Sequence, residues 1–505
     1  MAVFDFSEQN LVGHIFDGQN LNGSTFFKAT LTNVSFLNTK LRGTNFEETG
    51  WFNVDASNAN FRPNTNFPTT SLFKATLENV NFSGANLRDV NLEEISTTNL
   101  NLSNAKLQDA QLFKAELSGA NLSGANFTRA NLLEASLLDA DLTDANFKNA
   151  NLQLSSLEGS ILVNTNFTGV DFTGVNFTDI TLSNGTFNLA NLSGVQWTDV
   201  SPVAGATSTN SSFRGADLTH FSAEDLNLGG ADFSAFDANH PTLLTGVSLA
   251  DTILTDANFT GASAEGIFLE DANLSNANFT GADLTHANLN NATLAGAIFT
   301  GGVELDGANL SGVDLSGVDL TGADLSGADL THAILTGADL TGVNLTGANL
   351  SEANLSGAEL DGATLDRVFA EKTDLTGADF SGASLVDANF KEATGDSLTD
   401  FTGANLSGVS FEVGSFMGSN FQDANLNGAN LNVANLTGAH FSDGGDADTI
   451  GADLTGVTFI DGVAVHGHFS NALFVNADLT KANFTRAHFI GTDLTGAILV
   501  DTILP

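Results

Sequence analysis

The groups in this sequence best suited to hold a metal ion are nine histidines and 59 acidic side chains, since it contains no cysteine. His466, His468 and His488 form the densest imidazole group. His468 and His488 are separated by twenty positions, and each immediately precedes a Phe. Imidazole nitrogen binds Zn²⁺ or Ni²⁺, so these three residues form a candidate surface site for a divalent cation. A second candidate is the acidic, Gly-rich run that contains Asp443, Asp446 and Asp448. Carboxylate oxygens suit Ca²⁺, although the run lacks the glutamate that closes an EF-hand loop. No nucleotide-binding Gly loop, no Gly-x-Ser-x-Gly elbow and no His-Glu-x-x-His is present. Catalysis needs groups that converge in a pocket shielded from water. The expectation is therefore a protein that is not an enzyme, with no cofactor beyond a surface divalent cation.

Both candidate sites are carried by a five-residue beat that runs from Asp5 nearly to Pro505. From Leu305 to Leu365, Leu occupies thirteen consecutive fifth positions. Ala or Val sits two positions before this large apolar centre, and Asp, Asn or Thr just before it. Ser or Thr often follows, then Gly, Asp or Asn. Ala120-Asn-Leu-Ser-Gly124 and Ala338-Asp-Leu-Thr-Gly342 show the full motif. A period of five fits neither a helix nor a flat strand. Ala and the centre, two apart, share one side of a short extended segment. The following residues must turn the chain, and Gly, Asn, Asp and Ser tolerate turn dihedrals.

A longer period is superimposed. Phe127, Phe147, Phe167 and Phe187 recur at every twentieth position, as do Phe259, Phe279 and Phe299, and Phe401, Phe421 and Phe441. Near the N-terminus, Phe6, Leu11, Phe16, Leu21 and Phe26 alternate, which puts Phe on two opposite faces of a four-sided coil. The absence of Tyr fits a dry interior, where an unpaired hydroxyl would cost about 1–3 kcal/mol.

Over nearly its whole length the sequence resembles the pentapeptide repeat family. The resemblance implies an all-β fold, a right-handed quadrilateral β-helix with four repeats per coil. Roughly 25 coils at ~4.8 Å would give an elongated rod of ~120 Å. Its ends are read as uncapped, because no amphipathic helix is visible at either one. A solenoid grows around one continuous core, so residues 1–505 are read as a single domain. The register shifts near 62–67, 198–212, 239–248, 300–304, 391–400 and 442–453. Centres run from Phe213 to Leu243, for example, and resume at Leu249. Pro63, Pro68, Pro202 and Pro241 fall at these shifts, where a residue without an N–H is tolerated.

The formal net charge is −43. Residues 1–150 carry 10 Lys/Arg and 16 Asp/Glu, net −6, whereas residues 151–505 carry 6 and 43, net −37. Such a surface disfavours direct binding to nucleic acid or anionic lipid and favours basic proteins or divalent cations. No apolar run is long enough for a transmembrane helix. The first residues lack the pattern of a cleavable signal peptide. The compartment is therefore cytoplasmic by default, or extracellular if a leaderless route exports the chain. The tail from Asp501 to Pro505 loosely resembles that of proteins exported by type I secretion.

Three functions compete at this level. The leading one is a structural rod that self-associates end to end into a filament or other assembly. The resemblance also implies a second, an acidic DNA mimic that regulates a DNA-binding enzyme such as gyrase. The third is a passive protein-binding scaffold that uses the loops near Pro202 and Gly444.

Overall fold

The computed structural model describes residues 3–67, 69–192, 201–202, 211–222, 227–442 and 451–505. Among these residues the fold is an all-strand β-solenoid with no helix. The chain divides into two compact units, Met1–Asn258 and Phe259–Pro505.

One repeat explains the whole. Asn121 N–H donates to the Leu100 carbonyl of the preceding coil at 3.0 Å, and Leu122 N–H to the Asp141 carbonyl of the next at 2.8 Å. Ser123 N–H is capped by Asn121 Oδ1 at 3.1 Å. Gly124 N–H reaches the Thr143 carbonyl at 2.8 Å, and Ala125 N–H closes the turn on the Leu122 carbonyl at 3.0 Å. All five amide hydrogens are thus assigned, as a buried backbone requires. Each motif position has a cause. Asn or Asp before the centre caps the turn, and Ala fits beside the wall. The fourth position is left-handed (Gly124, φ +65°), where Gly is free of the Cβ penalty.

In unit 1, four faces follow from the pairing of Asp5, Asn10, Ile15 and Asn20 with Thr25, Thr30, Ser35 and Lys40. Strands β1 (Asn10–Val12), β2 (Thr30–Thr32), β3 (Gly50–Phe52), β4 (Thr76–Glu78) and β5 (Ser96–Thr98) form one parallel sheet. A second comprises β6 (Ile161–Val163), β7 (Thr181–Ser183) and β8 (Ser201–Pro202). Elsewhere a rung is a single bridge, because the turn leaves room for no more. The core is apolar and rich in aromatic rings. Phe6, Phe26 and Phe46 stack at 4.7 and 4.8 Å, and Phe16 stacks on Phe36 at 5.2 Å. A second ladder runs through Phe127, Phe147, Phe167, Phe187, Phe213 and Phe233, with ring centroids 4.6–5.3 Å apart. The fully buried Trp51 donates from Nε1 to Thr49 Oγ1 at 2.9 Å, so its one polar ring atom is satisfied.

Unit 2 repeats the plan, with β9 (Thr394–Gly395) paired to β10 (Ser415–Phe416). Its longest ring ladder is Phe380, Phe401, Phe421, Phe441 and Phe469, at 4.7–4.9 Å.

Where the pairing distance departs from the regular coil length, the rungs remain aligned. Asn45 pairs with Ser71, Asp217 with Leu243, Asp379 with Asp400 and Asn425 with Asp453. These insertions spend residues outside the ladder, so there are fewer turns than the roughly 25 coils that length alone implies. One boundary also differs. Leu243 is 37% exposed and Leu244 fully buried, so Leu243 is not a centre and the new register already begins at Leu244, ahead of Leu249. The insertion lies upstream, where Asp237 and His240 close a tight loop.

Candidate functional site

His468 and His488 occupy neighbouring rungs of one face, as their spacing predicts. Their ring centroids are 4.7 Å apart and the planes are tilted by 67°. His440 stands on the rung before, 4.6 Å from His468 and nearly parallel to it at 8°. Sequence spacing hides His440, because the insertion stretches the step from His440 to His468 beyond one regular coil. Its one signal is that it too precedes a ladder Phe, Phe441. His466 lies at a left-handed corner position (φ +58°) and not in this column. Burial, then the neighbouring imidazoles, hold His468 below the ordinary histidine value. Among the described residues, no three His, Cys, Asp or Glu gather into a metal-holding group. Asp443, Asp446 and Asp448 lie outside the described residues.

The same column continues toward lower numbers as Asn420, Asp400, Asp379, Glu359, Asp339 and Asp319, each paired with the next. Five carboxylates therefore stand on consecutive rungs. Several are engaged locally: Thr321, Thr341, Ser381 and Thr402 N–H donate to Asp319, Asp339, Asp379 and Asp400 at 2.8–3.0 Å. Elsewhere an amide relieves the repulsion, as where Asn344 Nδ2 donates to Asp324 Oδ1 at 3.0 Å.

A corner of unit 1 carries the opposite pattern. Lys28, Lys74 and Lys114 pair with Glu48, Glu94 and Glu134 of the next coil at 3.3–3.5 Å. Each lysine also sits 4.8–5.0 Å from the ring of its preceding residue, Phe27, Phe73 or Phe113. Charge alternates by coil along this edge, even across the insertion between Glu48 and Lys74.

The model of the family "Pentapeptide repeats (8 copies)" matches residues 16–48, 52–89, 85–124, 120–159, 140–179, 150–194, 269–301, 302–337, 333–369, 373–412, 415–444 and 468–504. The chain belongs to the pentapeptide repeat family. Solved pentapeptide repeat proteins are similar to it. HetL, involved in heterocyst differentiation regulation in the cyanobacterium Nostoc sp. strain PCC 7120, is 24% identical over 60% of this chain and 93% of its own, with a TM-score of 0.21. Rfr23 from the cyanobacterium Cyanothece 51142 is 25% identical over 32% of this chain and 90% of its own, TM-score 0.12. A pentapeptide repeat protein of the Arabidopsis thaliana thylakoid lumen is 29% identical over 24% of this chain and 66% of its own, TM-score 0.12. No curated protein matches the chain. Membership of the pentapeptide repeat family supports a non-enzymatic repeat scaffold. No helix among the described residues is long and apolar enough to cross a membrane.

Proposed function

We propose that this pentapeptide repeat protein is a non-enzymatic scaffold that presents aligned columns of side chains and joins to further copies of itself through its coil ends. The observation that carries the reading is the retained register. Within each unit the rungs stay aligned even where insertions interrupt the count, as between Asn45 and Ser71 or His440 and His468, so the side chains of one column stay in line. A surface of this kind suits a repeating partner, and the partner with the same rung spacing is another copy.

The first and last coils of this sequence are where such a joint would form. Leu479 and Phe484 are fully buried, whereas Leu499 and Leu504, the equivalent centres one coil on, are 39% and 42% exposed. Ile498, Val500 and Ile503 are exposed beside them, and Val3 and Phe4 at the other end of the numbering. A coil stacked in register would cover these groups and pair the open strand edges. A head-to-tail contact between two different surfaces does not close and propagates as a filament. Electron microscopy and sedimentation of the 52.3 kDa chain test this. Concentration-dependent filaments are expected, and Leu499→Asp should shorten them. Single particles at every concentration would overturn the reading.

The carboxylate column favours a second reading, docking of a basic protein, which includes the DNA-contacting surface of an enzyme. Salt-sensitive binding to polylysine, weakened in Asp339→Asn/Asp379→Asn, is the expected result. Equal binding by the variant would discount the column.

A further inference from the structure

We propose that the imidazole column is a binding site for one divalent transition-metal ion, held between His468 and His488 on adjacent rungs. Three of the nine histidines stand on consecutive rungs of a single face, and that alignment survives the insertion between His440 and His468. His440 and His488 are exposed and His468 half-buried, so solvent reaches the rings. None of the three rings is engaged in a hydrogen bond or ion pair with a described residue. Their nitrogens are therefore available as ligands.

Ring geometry decides which pair binds. In the nearly parallel His440–His468 stack, the nitrogen lone pairs run side by side and do not meet. The planes of His468 and His488 are tilted by 67° and so intersect, which two in-plane lone pairs sharing one ion require. A metal with bonds to nitrogen of about 2.0–2.1 Å needs such convergence. Two imidazoles with water in the remaining positions suit Cu²⁺, Ni²⁺ or Zn²⁺, with Cu²⁺ tightest, and do not suit Ca²⁺ or Mg²⁺. The carboxylates that follow on the same column raise the local cation concentration without being ligands.

The proposed pair leaves out two neighbouring histidines: His466 lies across the corner from the column, as its place two residues before His468 predicts, and His440 stands in the column in a nearly parallel stack. The test uses the full-length protein, titrated with Cu²⁺ by calorimetry at neutral pH, with electron paramagnetic resonance to count coordinated nitrogens. One tight ion per chain with two nitrogen ligands is expected. His468→Asn and His488→Asn should each weaken binding by about tenfold or more, whereas His440→Asn and His466→Asn should leave it within about twofold. Asn is tolerated in this column, since Asn420 already occupies it, and circular dichroism of the metal-free variants checks folding. Unchanged affinity in His468→Asn, oxygen-only coordination, or no binding to the wild-type chain would each overturn the proposal.

Discussion

A carboxylate in this chain does two things at once: it charges the surface and it caps a turn. Asp339 is the clearest case. The hydroxyl and N–H of Thr341 hold its carboxyl below the ordinary value of 3.8, and Ser316 does the same for Asp314. A depressed folded-state value means that the folded chain holds the charge more readily than the unfolded chain. The resulting stability is complete above the ordinary carboxylate value and is lost as pH falls from there through the lower folded-state value. Asp339→Asn keeps an oxygen for the Thr341 N–H and removes the titration. Its stability at pH 7 should stay within about 0.5 kcal/mol of wild type, with a shallower loss on acidification. Urea midpoints between pH 7 and pH 3 measure both, and an unchanged acid slope would contradict the capping role.

At the scale of the element, the question is how insertions leave the ladder intact. In a regular coil the left-handed residue donates to a carbonyl one coil on, as Gly23 does to Arg42. An insertion displaces that carbonyl, and a threonine hydroxyl takes its place. Thr70 Oγ1 accepts from Gly43 N–H at 2.7 Å and donates to the Phe61 carbonyl at 2.6 Å. Thr242 does the same between Gly215 and Ser234 at 2.8 and 2.7 Å, whereas Thr399, which donates to the Leu375 carbonyl at 3.0 Å, shares the Gly377 N–H at 3.3 Å with Asp396 Oδ1 at 3.0 Å. All three threonines are buried at a position usually held by Ala or Val. Thr70→Val would leave two backbone groups unpaired and should cost about 1–3 kcal/mol, with faster exchange of the Gly43 amide. Thr128→Val, whose hydroxyl meets only Asn126 in a part-buried turn, should cost far less. Equal effects in the two variants would refute the assignment.

These threonines also mark where sequence reading stops. The solenoid, the Phe ladders and the His468–His488 neighbours were legible, because a period of five inside a period of twenty fixes which residues share a face. Thr70 was not, since in the sequence it is simply a Thr in an irregular stretch beside two prolines. His440 was hidden for the same reason: an insertion breaks the arithmetic while the coil keeps its alignment. The shift from Leu243 to Leu244 was misread because both residues are Leu, and only burial separates them.

At the scale of the whole molecule, charge is the dominant asymmetry. Residues 1–150 are nearly neutral and rich in cross-coil ion pairs, whereas residues 151–505 carry net −37. Exposed charges are screened over about 10 Å at 0.1 M salt. Added NaCl should therefore raise the melting temperature of the full chain between about 0.01 and 0.3 M, as repulsion along the acidic columns is damped. A salt-independent melt would mean that local caps and amide ladders already neutralise those columns.

The way each coil is fastened has a mechanical consequence. Its inter-coil hydrogen bonds join residues about twenty positions apart, so chain tension loads one coil while its successors stay shielded. Peeling one coil frees about 20 residues, roughly 70 Å of contour. Extension under force would then advance as a staircase of nearly equal treads. Wider treads would fall where Asn45 grips Ser71, where Asn191 grips Asp217, where Asp217 grips Leu243, and where Asn425 grips Asp453.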